Sequence, residues 1–386
     1  MTFSHENNAL PQPSADALAF SQQLQELINA EIARNKGWIS FARFMELALY
    51  APGLGYYSAG SRKLGAAGDF VTAPELSPLF GRTLARQLAE LLAQGIPDII
   101  EFGAGSGALA AVVLEELSAL GQLPQRYRIL EVSADLRERQ QAQLQTKVPQ
   151  HLARVEWLDR LPERINAVVI GNEVLDAFPV HRVRSDSSGI TEIGVITTDT
   201  GYAWSARPAS GALAAAAASL QLADDYETEI SLAVPALITD LAQRLDHGVL
   251  LFIDYGFPAR EFFHPQRNRG TLMCHYRHHA HDNPFLWPGL QDITAHVDFS
   301  AVARAGAGLD LLGYVNQAQF LINCGITALL TEIPVSDVAR YAPLAAGAQQ
   351  LLSPAEMGEL FKFIALGRGV TSPLTGFNRG DKSHTL

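Results

Sequence analysis

A glycine-rich segment, EFGAGSGAL at residues 101–109, carries the clearest chemical signal in the sequence. Gly103, Gly105 and Gly107 permit positive φ angles and let a ligand approach the backbone without a Cβ in the way. The helix expected after them adds backbone donors at its N-terminus. The segment therefore predicts a nucleotide-like ligand. S-adenosylmethionine (SAM) fits it, and so does NAD through the looser spacing that Ala108 completes.

Two acidic residues at predicted strand ends bear on the choice between these ligands. Glu101 precedes the loop, where a carboxylate would repel a pyrophosphate but suits the ammonium and sulfonium of SAM. Glu131 ends the next strand and is expected to accept hydrogen bonds from ribose hydroxyls, which both ligands carry. The loop also follows about 95 mostly helical residues, whereas a nicotinamide-binding loop commonly opens its domain. These features favour SAM over NAD. The structural alternative is a glycine turn that binds no ligand and only packs the helix on the strand.

A polar segment, GNEVLDAFP, follows the short apolar strand predicted at 167–171. It places Asn172, Glu173 and Asp176 beyond the carboxyl end of a central strand, where ligands bind in open α/β sheets. Methyl transfer mainly requires a positioned, desolvated nucleophile, and two carboxylates can orient a guanidinium. We therefore predict an acceptor clamp of Glu173 and Asp176, with Asn172 beside it and near the cofactor. The alternative is that Asp176 caps the turn and Glu173 binds a structural arginine.

Three further residues are predicted to contact the substrate. Asp254 and Tyr255 end the apolar strand predicted at 248–254. His296 lies in QDITAHVDF, where polar residues alternate, so that an extended conformation would place four of them on one face. His296 is either a proton acceptor or a structural histidine.

A histidine-rich segment at 273–285, MCHYRHHAHDNPF, invites a metal-site interpretation. No second block of ligands follows at zinc-like spacing, and Cys274 is isolated, so we predict no metal. The segment follows a central strand and should lie over the carboxyl edge of the sheet. A substrate groove is favoured over a solvated loop.

Alternating strands and helices must position all these residues. Apolar strands are predicted at 96–102, 127–132, 167–171 and 248–254, with helices at Ala108–Ala119 and Ala134–Lys147 between the first three. This alternation predicts an α/β fold with a doubly wound, Rossmann-like sheet. An antiparallel edge strand is expected at 361–366.

The rest of the chain divides into extensions and an insertion. Helices are predicted from Ser14 to Arg34 and from the N-cap Ser40 to Tyr50, and a hairpin with an alanine-rich helix is predicted within 190–220. The predicted segments are an N-terminal helical region with a cofactor-covering loop (1–95), two parts of the core (96–189 and 248–371), an inserted accessory subdomain (190–247) and a flexible tail (372–386).

Composition limits the class of protein. The 386 residues are 48% hydrophobic and 18% charged, with a net charge of −11, which excludes a disordered chain and makes nucleic acid a poor partner. No apolar run approaches the ~18 residues of a membrane helix, so no membrane insertion is expected. The first residues lack a basic and an apolar region, and two cysteines make no disulfide framework. A cytoplasmic location is expected.

The sequence resembles the class I SAM-dependent methyltransferases of the MidA type over about residues 37–369. The motifs that carry the resemblance are GDFVTAPELSPLFG (68–81), EFGAGSG (101–107), EVSADLRERQ (131–140), GNEVLDAFPVHR (171–182), IDYGF (253–257) and LQDITAHVDF (290–299). Eukaryotic members are mitochondrial complex I assembly factors proposed to methylate a protein arginine. The resemblance implies SAM as cofactor, contacts to it from Asp69 and Thr72, and an acceptor arginine in a protein such as a respiratory complex subunit.

Three other functions stay open at this point. An assembly chaperone would hold SAM without turnover. A NAD-dependent oxidoreductase would use the same glycine loop. Methylation of a small molecule or an RNA would keep the enzyme class and change the acceptor, although the acidic charge balance disfavours RNA.

Overall fold

The computed structural model describes residues 10–58 and 72–386, so the predicted cofactor contact Asp69 lies outside the described residues. The helices α1 to α13 are, in chain order, Ala15–Arg34, Phe41–Tyr50, Ala73–Leu76, Pro78–Ala93, Ala108–Ala119, Ala134–Lys147, Gly211–Ser219, Ala233–Arg244, Ala259–Phe262, Phe299–Ala305, Gln317–Asn323, Ile326–Thr331 and Val338–Leu352. The strands β1 to β16 are Ile39–Ser40, Asp98–Phe102, Arg126–Leu130, Val155–Leu158, Ile165–Asn172, His181–Asp186, Gly189–Thr198, Gly201–Pro208, Tyr226–Ile230, Leu245–Phe257, Met273–Tyr276, His279–His281, Asp292–Thr294, Val297–Asp298, Asp310–Asn316 and Phe361–Arg368. Among the described residues, no helix is both long and apolar enough to cross a membrane.

The large sheet has the order β15-β16-β10-β5-β2-β3-β4, with β14 added beside β10. Strands β10, β5, β2, β3 and β4 are mutually parallel. Apolar helices cover both faces, α4 and α5 on one and α8 and α10 on the other, which confirms the doubly wound α/β prediction. β16 is antiparallel as expected, but its predicted edge position is wrong because β15 pairs with its far side.

Local sequence accounts for the elements that lead to the sheet edge. All five residues of β2 are buried, as expected for a strand covered on both faces. Ser14 and Ser40 accept hydrogen bonds from backbone amides of α1 and α2, which confirms both predicted helix starts. Gly107, at a φ of 84°, precedes α5, and Ser133 caps α6. Both helices have the predicted bounds because these start signals are local.

A smaller sheet, with the order β1-β7-β6-β9 and β8 beside β7, forms the accessory layer. The hairpin β7–β8 and the alanine-rich α7 occur where the sequence indicated them. β1 and β6 join this sheet from outside the predicted insertion 190–247, so the segment limits remain an interpretation. Phe41 and Phe44 of α2 are fully buried in the adjoining core, as their helical spacing indicated.

The C-terminal residues pack on the sheet, so the prediction of a flexible tail is wrong. Leu374 and Phe377 are 2% and 6% exposed. The Phe377 ring lies over Gly313, where an added Cβ would meet it at 2.3 Å. The Lys382 amide also donates to the Tyr314 carbonyl at 2.6 Å. Apolar packing and backbone hydrogen bonds together anchor this polar segment.

Candidate functional site

The carboxyl ends of β2, β3, β5 and β10 meet at one edge of the sheet, and the glycine loop begins there. Gly103, Gly105 and Gly107 have φ angles of 57°, 53° and 84°, a region that side-chain-bearing residues rarely adopt. The Gly103 amide donates to the Leu130 carbonyl at 3.1 Å, and an added Cβ on Gly107 would lie 3.3 Å from Cα of Gln140. The loop therefore requires glycine and exposes backbone at the edge.

Gln140, which sequence analysis missed, connects the glycine loop to Glu131. Its Nε2 donates to Oε2 of Glu131 and to the Gly105 carbonyl, both at 3.0 Å. Its Oε1 accepts from the Trp157 indole at 2.9 Å. Oε1 of Glu131 accepts from the Ser133 amide at 2.9 Å. Each carboxylate oxygen keeps a second lone pair, which leaves capacity for ribose hydroxyls.

Glu101 is buried beneath the glycine loop. The Tyr127 hydroxyl donates to its Oε2 at 2.7 Å. Burial raises the pKa of Glu101 to about 7, the Tyr127 hydrogen bond lowers it, and the nearby Glu131 adds to the rise. A cationic ligand would favour the ionised form.

Val132 adds an apolar surface next to these carboxylates. It follows Glu131 directly and is 80% exposed, which is unusual for valine. These residues match the parts of SAM. Glu101 suits the ammonium, Glu131 suits the ribose hydroxyls, and Val132 offers an apolar face for the adenine ring. The residues present therefore fit this cofactor, and Glu101, Glu131, Val132 and the loop amides would hold it.

The turn after β5 holds Glu173 in a strained conformation. Its φ is 53°, a left-handed value that costs about 1–3 kcal/mol in a residue with a side chain. Its amide donates to the Ile253 carbonyl at 2.8 Å. Its Oε1 accepts from the Ala73 amide at 3.3 Å and from Nδ2 of Asn172 at 3.1 Å. The structure thus brings Asn172 to Glu173, and places Thr72, the residue before Ala73, beside this turn.

Asp254 fixes the same turn from β10. It is fully buried, and its Oδ2 accepts from the amides of Val174, Leu175 and Asp176 at 3.1, 2.8 and 3.3 Å. Its Oδ1 accepts from its neighbour's amide, Tyr255, at 3.0 Å. These contacts use the carboxylate to position the turn, and the expectation that Asp254 contacts substrate stays a prediction. Asp254 also performs the capping role considered for Asp176.

The acidic residues of this turn have no cationic partner among the residues that the structure describes. Burial, followed by the repulsion of Asp176, raises the pKa of Glu173 to about 8. Burial raises the pKa of Asp176 to about 6, and burial and both neighbouring acids raise that of Asp254 well above its usual range. Within residues 10–58 and 72–386, no lysine or arginine forms an ion pair with any of the three. Burial therefore favours the protonated form of Glu173 and Asp254, and a cation bound in this turn would favour ionisation.

Two tyrosines from the N-terminal region line the same site. The rings of Tyr50 and Tyr57 stack with centroids 5.5 Å apart. Their hydroxyls donate to the Ala177 carbonyl at 3.0 Å and to Oδ1 of Asp292 at 2.9 Å. Burial, then Asp292 and Asp176, raise the pKa of Tyr50. From the sequence, the helical spacing of Phe41, Phe44 and Tyr50 predicts core packing for Tyr50, and Tyr57 has no predicted role. The run GLGYY was the signal available.

Tyr255 and His296, two predicted substrate residues, lie together next to Asp176. Hydrogen bonding to Tyr255 opposes the rise in the pKa of Asp176, and the Tyr255 ring centroid is 5.3 Å from that of His296. Burial, with Arg267 and Lys362 nearby, lowers the pKa of His296 to about 4, so it is neutral. Its Nδ1 is buried and, in the described part of the chain, has no hydrogen-bond partner.

The segment around His296 is not one extended strand. β13 ends at Thr294 and β14 contains only Val297 and Asp298. Oδ1 of Asp298 accepts from the Ala301 amide at 3.1 Å and caps α10. The expected common face of four polar residues is therefore wrong, because the last of them is used as a helix cap.

The histidine-rich segment forms a hairpin of β11 and β12, with β13 on the other side of β11. Cys274 is fully buried in the N-terminal core. Among the described residues no three histidine, cysteine, aspartate or glutamate side chains converge as a metal site would need. The groove role of the histidines remains a prediction, as does the absence of a metal.

Comparison with known proteins identifies the chemistry of the cofactor. A family model for S-adenosyl-L-methionine-dependent methyltransferases matches residues 79–315. Mouse mitochondrial protein arginine methyltransferase NDUFAF7 is 31% identical over 369 residues, which cover 86% of this chain and 82% of that protein. The human counterpart is 28% identical over 368 residues, with 86% and 81% covered.

A solved structure is more similar still. A Burkholderia thailandensis protein described as a methyl transferase, crystallised with S-adenosyl-homocysteine, is 52% identical and has a TM-score of 0.95. The match covers 98% of this chain and all of that one. The prediction of SAM as cofactor is confirmed, and the NAD interpretation of the glycine loop is wrong.

Proposed function

The chain belongs to the S-adenosyl-L-methionine-dependent methyltransferases, and on that premise we propose that it transfers methyl to a guanidinium nitrogen of an arginine in a partner protein. One observation carries the proposal. Glu173 and Asp176 are buried acids in a turn that no lysine or arginine of the described chain neutralises. A guanidinium supplies the missing charge and matches carboxylates in geometry.

The residues of the turn have separate tasks in this reaction. When bound, SAM supplies an electrophilic methyl group. Glu173 and Asp176 orient the guanidinium and favour positive charge on its other nitrogens. Asp254 positions both through backbone amides, and the stacked Tyr50 and Tyr57 exclude water from one side. The clamp role of Glu173 and Asp176 rests on this geometry.

The relatives support the acceptor class. Proteins about 30% identical to this chain carry the name protein arginine methyltransferase, and most of both sequences is aligned. We extend that acceptor to this chain as a proposal. A respiratory complex subunit as partner and the cytoplasm as location are parts of the same proposal.

The test uses SAM with a deuterated methyl group. The purified protein is incubated with this SAM and a lysate from cells that lack it, and labelled peptides are found by mass spectrometry. The controls are Gly105→Val, which should not bind SAM, and Glu138→Gln, an exposed glutamate on α6. We expect labelled methylarginine with the wild type and with Glu138→Gln, and none with Gly105→Val.

Other outcomes contradict the proposal in distinct ways. Label on lysine, on a carboxylate or on a small molecule would keep the enzyme class and replace the acceptor. No label with any variant, together with normal SAM binding, would favour the chaperone that holds SAM without turnover.

A further inference from the structure

A basic segment lies beside the acidic acceptor turn. Residues 258–270, PAREFFHPQRNRG, contain three arginines and one glutamate in a chain with a net charge of −11. The segment leads from the end of β10, which also carries Tyr255. The basic segment therefore follows Asp254 and Tyr255 closely along the chain.

Arg267 of this segment stacks on Phe257. Its guanidinium carbon lies 3.8 Å from the centre of the Phe257 ring. Among the residues that the structure describes, none accepts a hydrogen bond from this guanidinium and none forms an ion pair with it. The ring thus holds the Arg267 guanidinium in place while no described residue uses its hydrogen-bond donors.

Lys362 brings a second cation to the same ring. Its Nζ lies 5.8 Å from the Phe257 centroid, and it donates to the carbonyls of Glu359 and Leu360. It is 6% exposed, and burial lowers its pKa to about 8 although Glu359 and Glu261 act in the opposite direction. One of its three donors remains after the two carbonyls. The ammonium donates to backbone carbonyls and to no carboxylate of the described residues, so one donor of Lys362 remains for a ligand near Phe257.

This charge lies close to the acceptor turn. The His296 ring centroid is 5.3 Å from both Phe257 and Tyr255, and Tyr255 interacts with Asp176. Phe257 is two residues after Tyr255 on β10, which corresponds to about 7 Å along a strand. Arg267 and Lys362 also lower the pKa of His296, so their field reaches the site.

A cavity adjoins the same residues. It has a volume of about 420 Å³ and is lined in part by Leu175, Phe262 and His296. Leu175 precedes Asp176, and Phe262 belongs to the basic segment. A polypeptide next to the acceptor turn therefore has room beside Phe262, while Arg267, Lys362 and Phe257 do not line this cavity.

We propose that Arg267 and Lys362 form a subsite for a carboxylate of the acceptor protein, from an aspartate or glutamate within about four residues of the methylated arginine. This inference rests on the proposed function and adds a sequence preference to it. The acceptor arginine meets the carboxylates of the turn, and the flanking acid meets the two cations. The opposite charges in close succession explain why an overall acidic protein keeps a basic segment at this edge.

The test measures transfer to synthetic peptides. Each contains one arginine and a single glutamate at one of the four positions on either side of it, and each has a matched peptide with glutamine instead. The ratio of kcat/KM values for the two members of a pair is measured for wild type, Arg267→Gln, Arg267→Glu and Arg260→Gln. Arg260 is an exposed arginine of the same segment and serves as the matched control.

We expect the wild type and Arg260→Gln to prefer glutamate about tenfold or more at one position, as one charge-assisted hydrogen bond would give. In Arg267→Gln, the kcat/KM values for the glutamate peptide and its glutamine partner should differ by less than threefold. Arg267→Glu should reverse the ratio, so that glutamine is preferred over glutamate at that position, which also shows that the variant is folded and active.

Two failures are distinguishable. Transfer to arginine with equal rates for all glutamate and glutamine pairs would overturn the subsite and leave the proposed function intact. A wild type that methylates no arginine peptide, but transfers methyl to another acceptor, would overturn the proposed function.

Discussion

Binding of the acceptor arginine should release a proton from Glu173. The pKa of this carboxyl is about 8 because it is buried and Asp176 lies nearby. At pH 7 a group with that pKa is only about 10% ionised. A guanidinium held against it requires the ionised form, so binding should expel about 0.9 proton, and Asp176, at a pKa of about 6, should add about 0.1. At pH 9 the release should fall to about 0.1.

The assay is calorimetry in two buffers with different ionisation enthalpies. The titrant is an acceptor peptide identified by the deuterium label, and S-adenosyl-homocysteine is present so that no transfer occurs. The difference between the two apparent binding enthalpies gives the number of protons released. Glu173→Gln should reduce the release at pH 7 to about 0.1, because the amide keeps the size of the side chain and has no proton to lose.

Two results would refute this reasoning. Apparent enthalpies that do not depend on the buffer would mean that Glu173 is already ionised or does not contact the acceptor. Equal proton release in wild type and Glu173→Gln would assign the titration to another group. Glu138→Gln, which removes an exposed carboxyl on α6, should behave like the wild type.

Four further outcomes follow from the site. Gly105→Val should abolish SAM binding in calorimetry because a β-branched side chain opposes a φ of 53°, while circular dichroism should show a folded protein. Wild-type affinity for SAM in this variant would be inconsistent with a cofactor loop lined by backbone. Glu131→Ala should weaken SAM roughly tenfold or more per hydrogen bond lost, and an unchanged dissociation constant would exclude the ribose role. Asp254→Asn should lower the free energy of unfolding measured in urea by about 1–3 kcal/mol, because an NH₂ group would face the Tyr255 amide. Unchanged stability would mean that the turn does not need all four hydrogen bonds that the Asp254 carboxylate accepts. Without ligand, the free energy of unfolding should fall as pH rises from about 4.5 through about 8, because Glu173 binds its proton more tightly in the folded protein than in the unfolded chain. Glu173→Gln should flatten that slope in unfolding curves measured at several pH values.

Local signals predicted much of the fold. The bounds of α5 and α6 follow from Gly107 and Ser133, which act within one helical turn. β15 was missed, and so was the packing of the tail, because both depend on partners far along the chain. Phe377 packs over Gly313, and nothing near either residue indicates the other.

In the site, too, local sequence signals predicted some residues, and contacts between distant elements decided the others. Glu101, Glu131 and Glu173 could be placed from the sequence because each lies at or just beyond the end of a predicted strand, and parallel strands end at one edge. The role of Asp254 could not, since its carboxylate accepts from amides about 80 residues earlier in the chain. Gln140 and Tyr57 likewise enter through contacts between separate elements, which periodicity does not record.

The most direct test of the carboxylate clamp is the single-turnover rate of methyl transfer to the identified arginine peptide. It is measured for wild type, Glu173→Gln and Glu138→Gln, with the SAM dissociation constant of each determined in parallel. Glu173→Gln should lower the rate by about a hundredfold or more while SAM affinity stays within a few-fold of wild type, because one preorganised charge acts on the acceptor alone. A wild-type rate in Glu173→Gln, with SAM bound normally, would contradict the clamp.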